Sequence, residues 1–92
     1  MKVSVIGIGQ IGGTIAKKLS KAGYKVVVAN SKGKSSVQKF AEEIGAEPRD
    51  IESISKDAEI LILSIPFGAI PKLSADIFLN LPKESIVIDT SN

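Results

Sequence analysis

Short, almost uninterrupted apolar runs alternate along the chain with stretches where apolar residues recur every three or four positions. The runs are Val3 to Ile6, Val26-Val27-Val28 within Lys25 to Ala29, Ile60-Leu61-Ile62-Leu63 within Glu59 to Ile65, and Ile86-Val87-Ile88 within Ser85 to Asp89. They are rich in β-branched residues and bounded by glycine, proline or polar turns, so they predict buried strands. The periodic stretches predict helices. One runs from Gln10 to Ala22, with Ile11, Ile15, Ala16 and Leu19 on one face, and stops at Gly23. A second is capped by Ser35 or Ser36 and turns Val37, Phe40, Ala41 and Ile44 inward before Gly45 ends it. Asp50 to Lys56 predicts a short helix capped by Asp50. Ala69 to Leu81 predicts a longer one, with Ile70, Leu73, Ile77 and Leu81 aligned and Pro71 in its first turn. Ala46-Glu47 predicts a very short third strand before Pro48.

Strands that alternate with helices, and that are apolar throughout, imply a parallel sheet covered on both faces. Right-handed crossovers then give a doubly wound, Rossmann-type α/β fold of strand order 3-2-1-4-5, a single three-layer domain over residues 1–92. With 92 residues, 43% of them apolar and 24% charged, the chain is one soluble globular domain rather than a disordered segment. The net charge of +2 is too small, and Lys17, Lys18 and Lys21 too scattered, to argue for nucleic acid. Cysteine and histidine are both absent, which removes thiol nucleophiles, disulfides and histidine-based metal sites, and also the commonest general acid or base. Met1 leads directly into the first strand, and that apolar stretch is too short and too broken by glycine for a signal peptide or a membrane span. A cytoplasmic location is the expectation.

Gly7-Ile8-Gly9-Gln10-Ile11-Gly12 follows the first strand and opens the first helix, and a second strand comes after it. That context turns a weak G-x-G-x-x-G match into a dinucleotide-binding fingerprint. Gly7 permits the tight turn, Gly9 lets a pyrophosphate approach the backbone, and Gly12 lets helix and strand pack closely. The free amides around Gln10 and Ile11, and the helix dipole, face the anion. Gly13 is expected to serve packing alone. The bland alternative is a tight strand–helix turn in an unrelated α/β fold.

The end of the second strand decides which dinucleotide. NAD-binding domains usually place a carboxylate there, on the ribose hydroxyls. Here the position is Asn30, no carboxylate follows in sequence until Glu42, and the turn reads Asn30-Ser31-Lys32-Gly33-Lys34. A hydroxyl and two ammonium groups suit the 2′-phosphate of NADP (as NADPH or its oxidised form). Alternatively, Asn30 is a turn former and the lysines solvate the surface, Lys34 as readily as it binds phosphate. The second wall of the site is Ser64-Ile65-Pro66-Phe67, at the carboxyl end of the fourth strand. Phe67 either packs on the cofactor or staples the next helix. Thr90 and Asn92 end the last strand on the same edge, within reach of a nicotinamide or simply solvated.

These residues carry a family resemblance. Val5 to Gly13, the Val28-Ala29-Asn30-Ser31 turn, the Leu63-to-Phe67 segment and the Ile88-Asp89-Thr90-Ser91-Asn92 ending resemble the N-terminal domain of deazaflavin (coenzyme F-420)-dependent NADP oxidoreductases. That family lies within the 6-phosphogluconate dehydrogenase-like superfamily. Pyrroline-5-carboxylate reductases and 3-hydroxyacid dehydrogenases share much of the pattern. The resemblance implies hydride transfer between NADPH and a second redox substrate, such as the deazaflavin. It also implies a helical C-terminal domain for substrate and dimerisation, which these 92 residues do not contain; the expectation is either a fragment of a longer enzyme or a stand-alone domain that pairs, as a homodimer or with a partner chain that supplies the rest. No catalytic acid or base stands out: Asp89 ends a strand and Asp57 falls in a surface loop. A non-catalytic NADP-binding or regulatory module, and an assembly or dimerisation domain using the edge of the fifth strand, are the competing functions.

Overall fold

The structure, a computed structural model, describes residues 1–30, 32–65 and 75–90, the side chains of residues 75 and 76 excepted. The elements follow the order β1 (Lys2–Ile6), α1 (Gln10–Lys21), β2 (Lys25–Ala29), α2 (Lys34–Ile44), β3 (Glu47–Pro48), a 3-10 turn (Ile51–Ser53), β4 (Ile60–Leu63), α3 (Ala75–Leu79) and β5 (Ile86–Asp89). All five strands are parallel, in the order β3-β2-β1-β4-β5. This is the expected doubly wound sheet.

Strand alternation splits the core in two. Val3 and Val5 of β1, Val26 and Val28 of β2 and Ile62 of β4 face α1 and α2, packing on Ala16, Val37 and Ala41. Ile6, Val27, Ala29, Leu61 and Leu63 face the other way, onto Ile54 beyond the 3-10 turn and Ile77 of α3. Each central strand is therefore apolar on both sides because both sides are covered. Ser4 is the exception, fully buried on β1 with a hydroxyl that finds no hydrogen-bond partner among the described residues.

Several expectations need correction. Strand β5 is an edge, paired to β4 alone, and Ile86, Val87 and Ile88 are 58%, 45% and 42% exposed; an apolar run at an edge does not imply two-sided burial. Ile11, in the first turn of α1, is 56% exposed although it falls on the expected apolar face. Helix α2 begins at Lys34, before either serine expected to cap it, with Gly33 in a positive-φ conformation at its start. The predicted helix from Asp50 shrinks to a single 3-10 turn, and the side chain of Asp50 does not cap it. Strand β3 is shifted one residue, to Glu47–Pro48, where Pro48 is tolerated on the other edge. The first part of the predicted helix over 69–81, including Ile70, Pro71 and Leu73, lies outside the described residues.

Candidate functional site

The carboxyl ends of the strands form a laced edge. The amide of Gly7 donates to the Ala29 carbonyl (2.8 Å), Ser64 to Ile6 (2.8 Å), Thr90 to Leu63 (2.9 Å) and Arg49 to Val28 (3.0 Å). Each strand's exit is thereby fixed against its neighbour, and the β1 and β4 exits stand side by side at the point where chain order reverses. In doubly wound sheets ligands bind outside that point.

The three fingerprint glycines have different reasons to be glycine. Gly7 sits at φ +95°, and a Cβ there would run into the Ser64 carbonyl group. A Cβ on Gly12 would overlap the Gly7 carbonyl oxygen and come within 2.8 Å of the Ser64 Cβ. Both are forced by the protein itself. Gly9 is not: its φ of −65° suits any residue, and nothing lies within 4 Å of where its Cβ would be. The space that Gly9 leaves bare lies outside the protein, at the amino end of α1.

That helix end is uncapped. No side chain caps its amides, its first turn carries no acid, and the first closing bond runs from the Gly13 amide to the Gly9 carbonyl (2.7 Å). The amides of Gln10, Ile11 and Gly12 precede that bond, so the helix geometry leaves them pointing outward with the positive end of the dipole. Gln10 and Ile11 are exposed; Ile8 is half-buried and packs against the α1–α2 core, anchoring the loop from beneath. A shallow groove of about 430 Å³ continues from Ile8, Gly9 and Gln10 along α1 past Lys17 to Phe40 of α2. Gly13 permits that approach, its Cβ position 3.4 Å from the Phe40 ring.

Asn30 organises the loop after β2. Its Oδ1 accepts from the Lys32 amide (2.9 Å), and the single proton of the Ser36 hydroxyl is shared between that Oδ1 and the Gly33 carbonyl oxygen. The asparagine thus commits its oxygen to the turn. Lys32 is exposed, as is Lys34 at the start of α2. Ser31 lies outside the described residues, as do Pro66, Phe67 and Asn92. On the second wall, Ser64 packs its Cβ and Oγ beside Gly12, and Ile65 packs into the lower core. The Thr90 hydroxyl donates to the Leu63 carbonyl (3.0 Å), locking the β5 exit.

One acidic residue reaches this edge without being near it in sequence. Asp50, just beyond β3, places Oδ1 2.8 Å from the amide of Lys34 and so caps α2 from another segment. The loop after β2 lacks a carboxylate in sequence and acquires one in space. The signal was available: in a 3-2-1 order the residue leaving β3 must emerge beside the residue leaving β2. Arg49, next to it, is committed elsewhere, to the Glu47 carboxylate and to the carbonyls of Ser53 and Lys56 (both 3.3 Å). The hydrogen bond from Arg49 holds the Glu47 carboxyl below its ordinary pKa, with Lys2 and Lys34 adding weaker attraction against the cost of burial.

Among the described residues no group of acids could hold a metal ion, and no helix is long and apolar enough to cross a membrane.

Residues 2–92 match a family model described as NADP oxidoreductase, coenzyme F420-dependent. Among curated proteins, glyoxylate reductase of Pyrococcus furiosus is 30% identical over 64 residues, 70% of this chain and 18% of the reductase. Among solved structures, Synechocystis arogenate dehydrogenase superposes with a TM-score of 0.81 at 25% identity, over 97% of this chain and 32% of that one. One of the subunits of dipicolinate synthase from Bacillus halodurans gives 0.81 at 28%, over 99% of this chain and 31% of that one. The chain therefore spans about a third of these structures and less than a fifth of the curated relative.

Proposed function

We propose, for a chain that belongs to the family of coenzyme F420-dependent NADP oxidoreductases, that it prefers NADPH and presents it for hydride exchange with a second redox partner. At the level of class, the chain is a nicotinamide-dinucleotide-binding domain of an oxidoreductase. The carrying observation is Gly9, bare toward solvent for no reason internal to the fold, at the uncapped amino end of α1. A diphosphate there would accept from the amides of Gln10, Ile11 and Gly12, with Gly7 and Ile8 shaping the approach. The loop of Asn30, Ser31, Lys32 and Lys34 would meet the 2′-phosphate, Lys32 through its exposed ammonium. The segment Ser64, Ile65, Pro66 and Phe67 would flank the ribose and nicotinamide.

When bound, the nicotinamide supplies or takes the hydride. The chain's own residues orient it, and no catalytic side chain is assigned. A deazaflavin coenzyme is the partner the family description favours. In a titration followed by NADPH fluorescence, the full chain should bind NADPH more tightly than NADH, and Lys32→Ala should narrow that gap several-fold. Equal affinities in the parent chain would remove the 2′-phosphate assignment.

The exposed apolar face of β5 favours an additional role in assembly, with a second copy or a partner chain covering it. Light scattering at rising concentration tests this; a monomer throughout, with or without NADPH, would exclude self-assembly.

A further inference from the structure

We propose that Asp50 sets how strongly the site distinguishes NADPH from NADH. This rests on the dinucleotide reading above and deepens it. The loop after β2 offers two lysines and a helix start with no cap of its own, a combination that by itself would favour a phosphate strongly. The structure, however, seats a carboxylate at that helix start: Asp50 Oδ1 accepts from the Lys34 amide at 2.8 Å, while no acid occupies the first turn of α2 itself. Asp50 is held there from both sides in sequence. The amide of the preceding residue, Arg49, is laced to the Val28 carbonyl at 3.0 Å, and the carbonyl of Asp50 accepts from the Ser53 amide at 3.1 Å. The carboxylate is thus a fixed part of the edge, one strand away from the end of β2.

Its consequences for the two coenzymes differ. A ribose carrying only hydroxyls loses nothing beside a carboxylate. A ribose carrying a 2′-phosphate brings about two negative charges toward Lys32 and meets the further negative charge of Asp50 at the start of α2. Asp50 offsets part of the attraction from Lys32 and Lys34, so the parent chain's preference for NADPH is modest. Neutralising Asp50 should raise NADPH affinity roughly five- to tenfold at low salt and leave NADH within about twofold.

Asp50→Asn is the informative substitution, because the amide oxygen still caps Lys34 while the charge is gone. Dissociation constants for NADPH and NADH, measured with the full chain at about 20 mM and about 500 mM salt (chosen on either side of effective screening), give the readout. The expected result is a higher NADPH-to-NADH affinity ratio in Asp50→Asn at low salt that shrinks at high salt. A purely structural role would not produce a salt-dependent, phosphate-selective change. An unchanged ratio, or equal weakening of both coenzymes, overturns the proposal and leaves the NADPH reading intact if Lys32→Ala still narrows the gap. Failure of either coenzyme to bind the parent chain overturns both.

Discussion

Gly9 and Gly12 lie in the same turn, yet Gly12 is required by the fold while Gly9 is not, and the proposed function assigns Gly9 to the ligand. Gly12 is crowded by the backbone of its own loop and by Ser64, so Gly12→Ala should cost about 2–4 kcal/mol of stability. Gly9 is crowded by nothing, so Gly9→Ala should leave the thermal midpoint almost unchanged. Nucleotide affinity should nevertheless fall at least about tenfold, because the new methyl group stands where the diphosphate approaches. Melting curves and NADPH titrations on the two variants check both halves; a destabilised Gly9→Ala that binds normally would refute the distinction. Ser4 gives a third residue-level expectation. Its buried hydroxyl has no partner among the described residues, so Ser4→Ala should be neutral or stabilise by up to about 1 kcal/mol in denaturant titration, against the usual sign for a core substitution.

At the level of elements, the starts of α1 and α2 are solved differently. The amino end of α1 is left bare, whereas that of α2 is closed by Asp50 from across the sheet edge. Asp50→Ala should therefore cost about 1 kcal/mol, through loss of a cap that local sequence does not reveal. A thermal midpoint within error of the parent chain would show that the contact carries no stability. The elements themselves were legible from periodicity wherever an element is covered on its expected face: β1, β2, β4, α1 and α2 all fall within a residue or two of expectation. Legibility failed where tertiary placement intervened. Ser35 and Ser36 look like caps, but Gly33 starts the helix earlier and Ser36 turns back to Asn30. Ile11 fits the apolar stripe of α1 yet is exposed, and β5 has the composition of a central strand in an edge position.

For the molecule as a whole, the parallel order 3-2-1-4-5 makes the candidate site a property of topology. The exits of β1 and β4 must lie together, which is why Gly7 and Gly12 meet Ser64 from a distant part of the chain. The fingerprint was readable as a string because its residues are contiguous. Asp50 belongs to no contiguous motif; it joins the loop after β2 through the pairing of β2 with β3, so only the 3-2-1 strand order, and no local string, points to it.

Everything turns on whether the amides at the mouth of α1 receive a diphosphate. The direct measurement is an NMR titration of the ¹⁵N-labelled chain with NADPH. The amide signals of Gly9, Gln10, Ile11 and Gly12 should move first and furthest, with Lys32 following and β5 unmoved. Saturating nucleotide that leaves those four signals in place, or that shifts only residues elsewhere, would contradict the account.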